Sequence, residues 1–178
     1  MIEKSKRQTL REYCIENDRL ELLCQWHPVK NGDHTPSNVP VGSNRKFWWM
    51  DELGHEWEQG LYNRCARRSG CPICAGRVIL PGFNDLASKN PELAVQWHPN
   101  KNGSLTPQEV RPGSSRKVWW ICSKGHEWRA SPTTRVKMGA ECPICSNYFA
   151  LTGYNALATT HPGIASQWHP TKNGSLTP

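Results

Sequence analysis

The stretch that decides the fold is KVWWICSKGHEWRASPTTRVKMGAECPIC, residues 117–145. It opens on Lys117-Val118-Trp119-Trp120-Ile121, an aromatic and β-branched run of the kind that fills strands. Gly125 marks a turn and His126 starts a second strand, so a β-hairpin is expected. Three residues separate Cys122 from His126, fifteen more follow, and Cys142-Pro143-Ile144-Cys145 ends the stretch. Zinc takes thiolate sulfur and imidazole nitrogen in a tetrahedron. Two donors at a hairpin turn and two on a Cys-Pro-Ile-Cys knuckle can close one. The four are soft or borderline ligands with no carboxylate among them, which favours Zn²⁺ over Mg²⁺ or Ca²⁺. A closed Cys₃His set leaves no open position, so the site reads as structural rather than catalytic.

Working outward, the same pattern recurs. QWHP begins at Gln25, Gln96 and Gln167, 71 residues apart each time. Lys30, Lys101 and Lys172 each open a KNG, and Thr-Pro follows at Thr35, Thr106 and Thr177. Trp48-Trp49 matches Trp119-Trp120, Gly54-His55-Glu56-Trp57 matches Gly125-His126-Glu127-Trp128, and Cys71-Pro72-Ile73-Cys74 matches the second knuckle. So many identities in one register mark an internal repeat, with two complete copies and the start of a third. Repeat one departs at one ligand: Asp51 stands where repeat two has Cys122, while His55, Cys71 and Cys74 persist. Asp51 can ligate through oxygen. Cys65 swinging in, or water, are the alternatives for that fourth position, as is an empty site. Two zinc ions per chain are expected.

Composition agrees with small modules. Only 37% of the 178 residues are hydrophobic, with 14 Gly and 14 Pro. Thin cores need staples; eight Cys and seven His offer them, and nine Trp offer bulky filling. Residues 1–10 lack the apolar core of a secretory peptide and no run of about 18 apolar residues exists, so a cytoplasmic chain with no membrane partner and reduced thiols is expected. Cys14 and Cys24, without CxxC partners, read as buried thiols on a helix. The expected architecture is a small metal-stabilised α+β chain. It has an N-terminal helical segment over residues 1–21 and repeat one over 22–81. A linker helix with repeat two covers 82–152, and a linker helix with the truncated third copy covers 153–178. The helical readings are Thr9 to Trp26, Pro91 to Trp97 with Asn90 as N-cap, and Pro162 to Trp168.

Net charge is +7, which favours anionic partners, nucleic acid first. Candidate contacts are Arg45, Lys46, Arg64, Arg67 and Arg68 in repeat one, and Arg116, Lys117, Arg129, Arg135 and Lys137 in repeat two. Arg64 and Arg135 recur in register and fit equally a structural bond to a knuckle carbonyl. Adjacent Trp residues on a strand point to opposite faces. One of each pair therefore lies outside the core, packed on the QWHP helix or free as a stacking platform for bases. His27, His98 and His169 precede Pro and read as capping or packing residues; the sharper alternative is a His-Asn-His nuclease with Asn31 or Asn102.

Trp-His-Pro-x-Lys-Asn-Gly-x-x-Thr-Pro, then Trp-Trp-x-Cys-x3-His-x-Trp, then Arg and Cys-Pro-x-Cys, resembles the "probable zinc-ribbon" family of bacterial and phage proteins. That family is grouped with treble-clef zinc fingers and often occurs in tandem. The resemblance implies tandem treble-clef or zinc-ribbon repeats, each a β-hairpin plus zinc knuckle, joined by short helices. It implies Cys122, His126, Cys142 and Cys145 as ligands, with His55, Cys71 and Cys74; Asp51 departs from the family's Cys. Some members are fused to nuclease domains. The leading expectation is a non-enzymatic module that docks on nucleic acid, DNA first, as the targeting part of a larger system containing a nuclease or other effector. A protein-interaction scaffold and a metal-dependent nuclease are the alternatives.

Overall fold

The computed structural model describes residues 7–178, so the first six residues of the expected N-terminal segment lie outside the described residues. The chain divides into two compact units, one through Val78 and one from Ile79.

Unit one starts with α1 (Leu10–Glu16), set by a capping box in which Thr9 and Glu12 each serve the other's backbone N–H. The helix expected to run on to Trp26 is broken. Asn17 caps α1, Asp18 takes φ 51°, and Arg19 N–H donates to the Cys14 carbonyl before α2 (Glu21–Cys24) begins. Asp tolerates that left-handed step, which turns the chain. Strands β1 (Lys46–Met50) and β2 (Glu56–Gly60) pair antiparallel with Trp49 opposite Trp57, and α3 (Leu61–Cys65) follows. The core joins Leu10, Cys14, Leu22, Trp49, Trp57 and Leu61. The N-terminal helix is thus part of module one, and Leu10 N–H donates to the Val39 carbonyl at 2.8 Å.

Unit two repeats the plan. Helix α4 (Leu86–Lys89) is capped by Asp85, and Leu86 N–H donates to the Val110 carbonyl at 2.7 Å, as Leu10 does to Val39. Helix α5 (Pro91–Ala94) carries Pro at its start; Asn90 occupies the N-cap position but its side chain makes no capping bond. It ends earlier than the expected Trp97, because Trp97 bridges Trp120 on the sheet edge. A 3₁₀ turn (Pro107–Glu109) precedes β3 (Val118–Ile121) and β4 (Glu127–Ala130), with Trp120 opposite Trp128. Helix α6 (Pro132–Met138) then runs from an N-cap at Ser131 to Gly139 at φ 61°. Two short turns, α7 (Leu157–Thr160) and α8 (Pro162–Ala165), carry the chain into the third copy.

Most residues of QWHP-x-KNG have a visible physical task. Trp26 packs edge-on against Trp49 at 5.3 Å, and Trp97 against Trp120 at 5.5 Å. His27 Nδ1 accepts the N–H groups of Val29 and Lys30, both at 3.1 Å, which turns the loop. Asn31 lies against the sheet edge like a short strand: Trp48 N–H donates to its Oδ1 at 2.8 Å and its Nδ2 donates to the Trp48 carbonyl at 2.9 Å. Asn102 does the same for Trp119. Gly32 and Gly103 take φ 58° and 61°, a conformation open to glycine without steric cost. The outer tryptophans are half-buried, each under a lysine of the QWHP-x-KNG stretch. Lys30 lies 4.6 Å above Trp48 and Lys101 lies 4.8 Å above Trp119, each tethered by Glu56 or Glu127.

Candidate metal centres

The turn between paired strands brings residues four apart together. In unit two, Cys122 N–H donates to the His126 carbonyl and Gly125, at φ 80°, closes the turn. Opposite it, the Cys142-Pro143-Ile144-Cys145 knuckle is wound by Ser146 N–H to the Cys142 carbonyl and Tyr148 N–H to the Pro143 carbonyl. Asn147 supplies the left-handed residue of that turn at φ 57°.

The donor atoms converge. Cys122 Sγ lies 3.6 Å from His126 Nδ1 and 3.9 Å from Cys145 Sγ, and His126 Nδ1 lies 3.3 Å from Cys145 Sγ and 3.7 Å from Cys142 Sγ. Zinc with Zn–S of about 2.3 Å and Zn–N of about 2.0 Å sets tetrahedral edges of about 3.8 Å between sulfurs and about 3.5 Å from sulfur to nitrogen. The cluster has those edges. Tyr154 packs edge-on against the His126 ring at 4.3 Å.

Unit one holds Asp51, His55, Cys71 and Cys74 in the same arrangement. Asp51 Oδ2 lies 2.9 Å from His55 Nδ1 and 3.2 Å from Cys74 Sγ, and His55 Nδ1 lies 3.3 Å from Cys74 Sγ and 3.8 Å from Cys71 Sγ. The carboxylate divides two tasks that one sulfur performs in unit two. Asp51 Oδ1 accepts the N–H groups of Leu53 and His55 at 3.0 and 2.9 Å, leaving Oδ2 to face the cluster. In unit two the N–H groups of Lys124 and His126 point at Cys122 Sγ itself. Cys65 is buried in the hydrophobic core and outside the cluster, so among the candidates for the fourth position the geometry selects Asp51. Of the two orphan cysteines, Cys14 is buried as expected, whereas Cys24 is exposed, in a cleft shared with Asp51, Cys71 and Cys74.

The electrostatics call for a cation. Burial, then the neighbouring Asp51 and Cys71, push the Cys74 thiol up to about 12. Burial, then Cys142 and Cys122, likewise push Cys145 up. Burial alone would raise Asp51, but hydrogen bonds from Cys71, the His55 backbone, Cys74 and the His55 ring outweigh it and hold the carboxyl at about 2. Cys74 and Cys145 resist ionising beside Asp51 and Cys122, which are held toward their anions, and a shared divalent ion would relieve that conflict while tying hairpin to knuckle.

The family model described as "Probable Treble clef zinc finger domain" matches residues 22–77 and 93–148, spanning both clusters. The chain belongs to this family. Comparison with curated proteins finds no match. The two clusters are therefore the zinc sites of tandem treble-clef fingers, one ion each.

The zinc fingers also show what the basic candidates do. Arg45, Lys46, Arg67, Arg68, Arg116, Lys117, Arg129 and Lys137 are exposed. Arg64 and Arg135 are not: they are 3% and 5% exposed and leave the set of surface contacts. Arg135 Nε donates to the Ala140 carbonyl at 3.0 Å, just ahead of the knuckle, and its Nη2 to Gln96 Oε1 at 2.8 Å. Its guanidinium sits 4.6 Å over Trp120 and 5.1 Å over Trp128. Arg64 bonds the Ser69 carbonyl at 2.6 Å and Gln25, over Trp49 and Trp57. Burial lowers the pKa of Arg64 to about 10, which still leaves it charged at neutral pH. Gln25 and Gln96, the acceptors of these bonds, carry no chemistry of their own in the sequence; their place in the repeat register is the signal that marks them.

His27 and His98 are occupied as well. Each Nδ1 accepts two backbone N–H groups, so the ring proton lies on Nε2, 2.8 Å from Glu56 or Glu127. Among the described residues no helix is long and apolar enough to cross a membrane.

Proposed function

We propose that the tandem zinc fingers form a non-enzymatic module that docks on nucleic acid and serves as the targeting part of a larger system. The observation that carries this reading is the exposure of eight of the ten candidate cations on two rigid zinc-stapled modules, within a chain of net charge +7. Cations on a fixed scaffold neutralise phosphates and release counterions. The absence of catalysis is supported by His27 and His98, whose two ring nitrogens are both engaged and leave none to act as a general base.

An electrophoretic shift titration at low salt tests the reading. Binding to DNA or RNA is expected, weakening steeply as salt rises, with no Mg²⁺- or Mn²⁺-dependent nicking. No shift with single- or double-stranded DNA or RNA would remove it. A protein-interaction role is favoured by one feature, Tyr148 and Phe149, which are 78% and 58% exposed and pack edge-on at 4.9 Å. Loss of cellular activity on replacing that pair, with nucleic-acid binding intact, would favour the scaffold.

A further inference from the structure

The two fingers present the same outward hairpin face with one decisive difference. In unit two Trp119 and Ile121 of β3 share that face with Glu127 and Arg129 of β4, and Lys117 precedes them in the same alternation. Trp119 lies directly opposite Arg129, whose guanidinium is 5.8 Å from the indole. Glu127 is neutralised by Lys101 and held by His98. In unit one the corresponding face carries Lys46, Trp48 and Met50 with Glu56 and Glu58, and Trp48 lies opposite Glu58. An acid therefore stands where unit two has an arginine. Charge follows the same division: ten Lys and Arg against five Asp and Glu from Ile79 onward, but twelve against ten through Val78.

We infer that the two fingers are not equivalent, and that the outward hairpin face of unit two, Trp119 framed by Lys117 and Arg129, is the contact for a single strand of nucleic acid. The inference rests on the nucleic-acid reading above. A partly exposed indole that already carries Lys101 and Arg129 against its ring, with exposed Lys117 beside it, offers a base an aromatic contact and its adjoining phosphates a counter-charge. In unit one Glu58 places a negative charge where the phosphate would lie.

Fluorescence anisotropy with a labelled oligothymidylate at low salt tests this, with two zinc per chain verified for every variant. Arg129→Glu is expected to weaken binding about tenfold and to lower the salt slope by about 0.7. Arg129→Gln, milder toward the fold, is expected to weaken it about threefold. Glu58→Arg is expected to tighten binding, and Arg11→Glu, the same charge change as Arg129→Glu at an exposed position of unit one outside the candidate contacts, to alter it less than about twofold. Equal losses from Arg129→Glu and Arg11→Glu would overturn the assignment while leaving nucleic-acid binding in place, as would a preference for duplex over single strand. No binding by the unmodified chain would remove both.

Discussion

Asp51 makes the two zinc sites different in protons, and the difference can be counted. The donors are Asp51, His55, Cys71 and Cys74 in one site and Cys122, His126, Cys142 and Cys145 in the other. A free thiol carries its proton below about pH 8.5, and zinc binds the thiolate. The Asp51 carboxyl, held at about 2, has already lost its proton at neutral pH. Loading the first site therefore releases about two protons and loading the second about three, or about five per chain. One proton per event costs about 1.4 kcal/mol of binding free energy for each unit of falling pH. The first site should weaken by about 2.7 kcal/mol per unit of acidification and the second by about 4.1. The sign follows from release: binding strengthens as pH rises toward the thiol range and is lost in acid. Zinc added stepwise to reduced, metal-free protein in weak buffer, just above the ordinary imidazole range, with an indicator dye reporting protons, gives the count. Asp51→Cys should raise it from about five to about six and give both sites the same pH slope. A count of about six in the unmodified chain would mean a sixth thiol, such as Cys65, ligates instead. No change in Asp51→Cys would equally refute the role assigned to Asp51.

Two further outcomes follow from the packing. Arg135→Met keeps the bulk over Trp120 and Trp128 but leaves the Ala140 carbonyl and Gln96 Oε1 without their donor, and should cost about 3 kcal/mol in a urea melt of the zinc-loaded protein. A loss under about 1 kcal/mol would mean the buried guanidinium is not a structural tie. Asn102→Ala removes the two bonds to the Trp119 backbone and should cost about 2 kcal/mol, with zinc content unchanged.

The hairpins and the zinc donors were legible because their signals are local. Strand alternation, a turn glycine and a CxxC knuckle each occupy a few consecutive residues, and the 71-residue repeat presented them twice. Helices α3 and α6 went unread, being only five and seven residues long and too short to show a period, though Ser131-Pro132 and Gly139 marked the ends of α6. Arg64 and Arg135 read in the sequence equally as surface cations and as structural ties to a carbonyl, because arginine is buried only where it is paired. What buries Arg135 is an acceptor on Gln96, 39 residues earlier, and two tryptophan faces, and no local window contains all three. The lysines over Trp48 and Trp119 were unreadable for the same reason. Asp51 could be aligned with Cys122 by register, but its division of labour between two oxygens needs the turn geometry.

The bond from Arg135 to Gln96 also bears on how a finger comes into being on the ribosome. Its acceptor is translated early, ahead of the hairpin, while its donor and the Cys142-Pro143-Ile144-Cys145 knuckle come at the end. A nascent finger can form its hairpin turn and hold Cys122 and His126 side by side, yet it has neither latch nor full ligand set until its last third leaves the exit tunnel. Each finger can therefore close its full ligand set only once its knuckle has emerged.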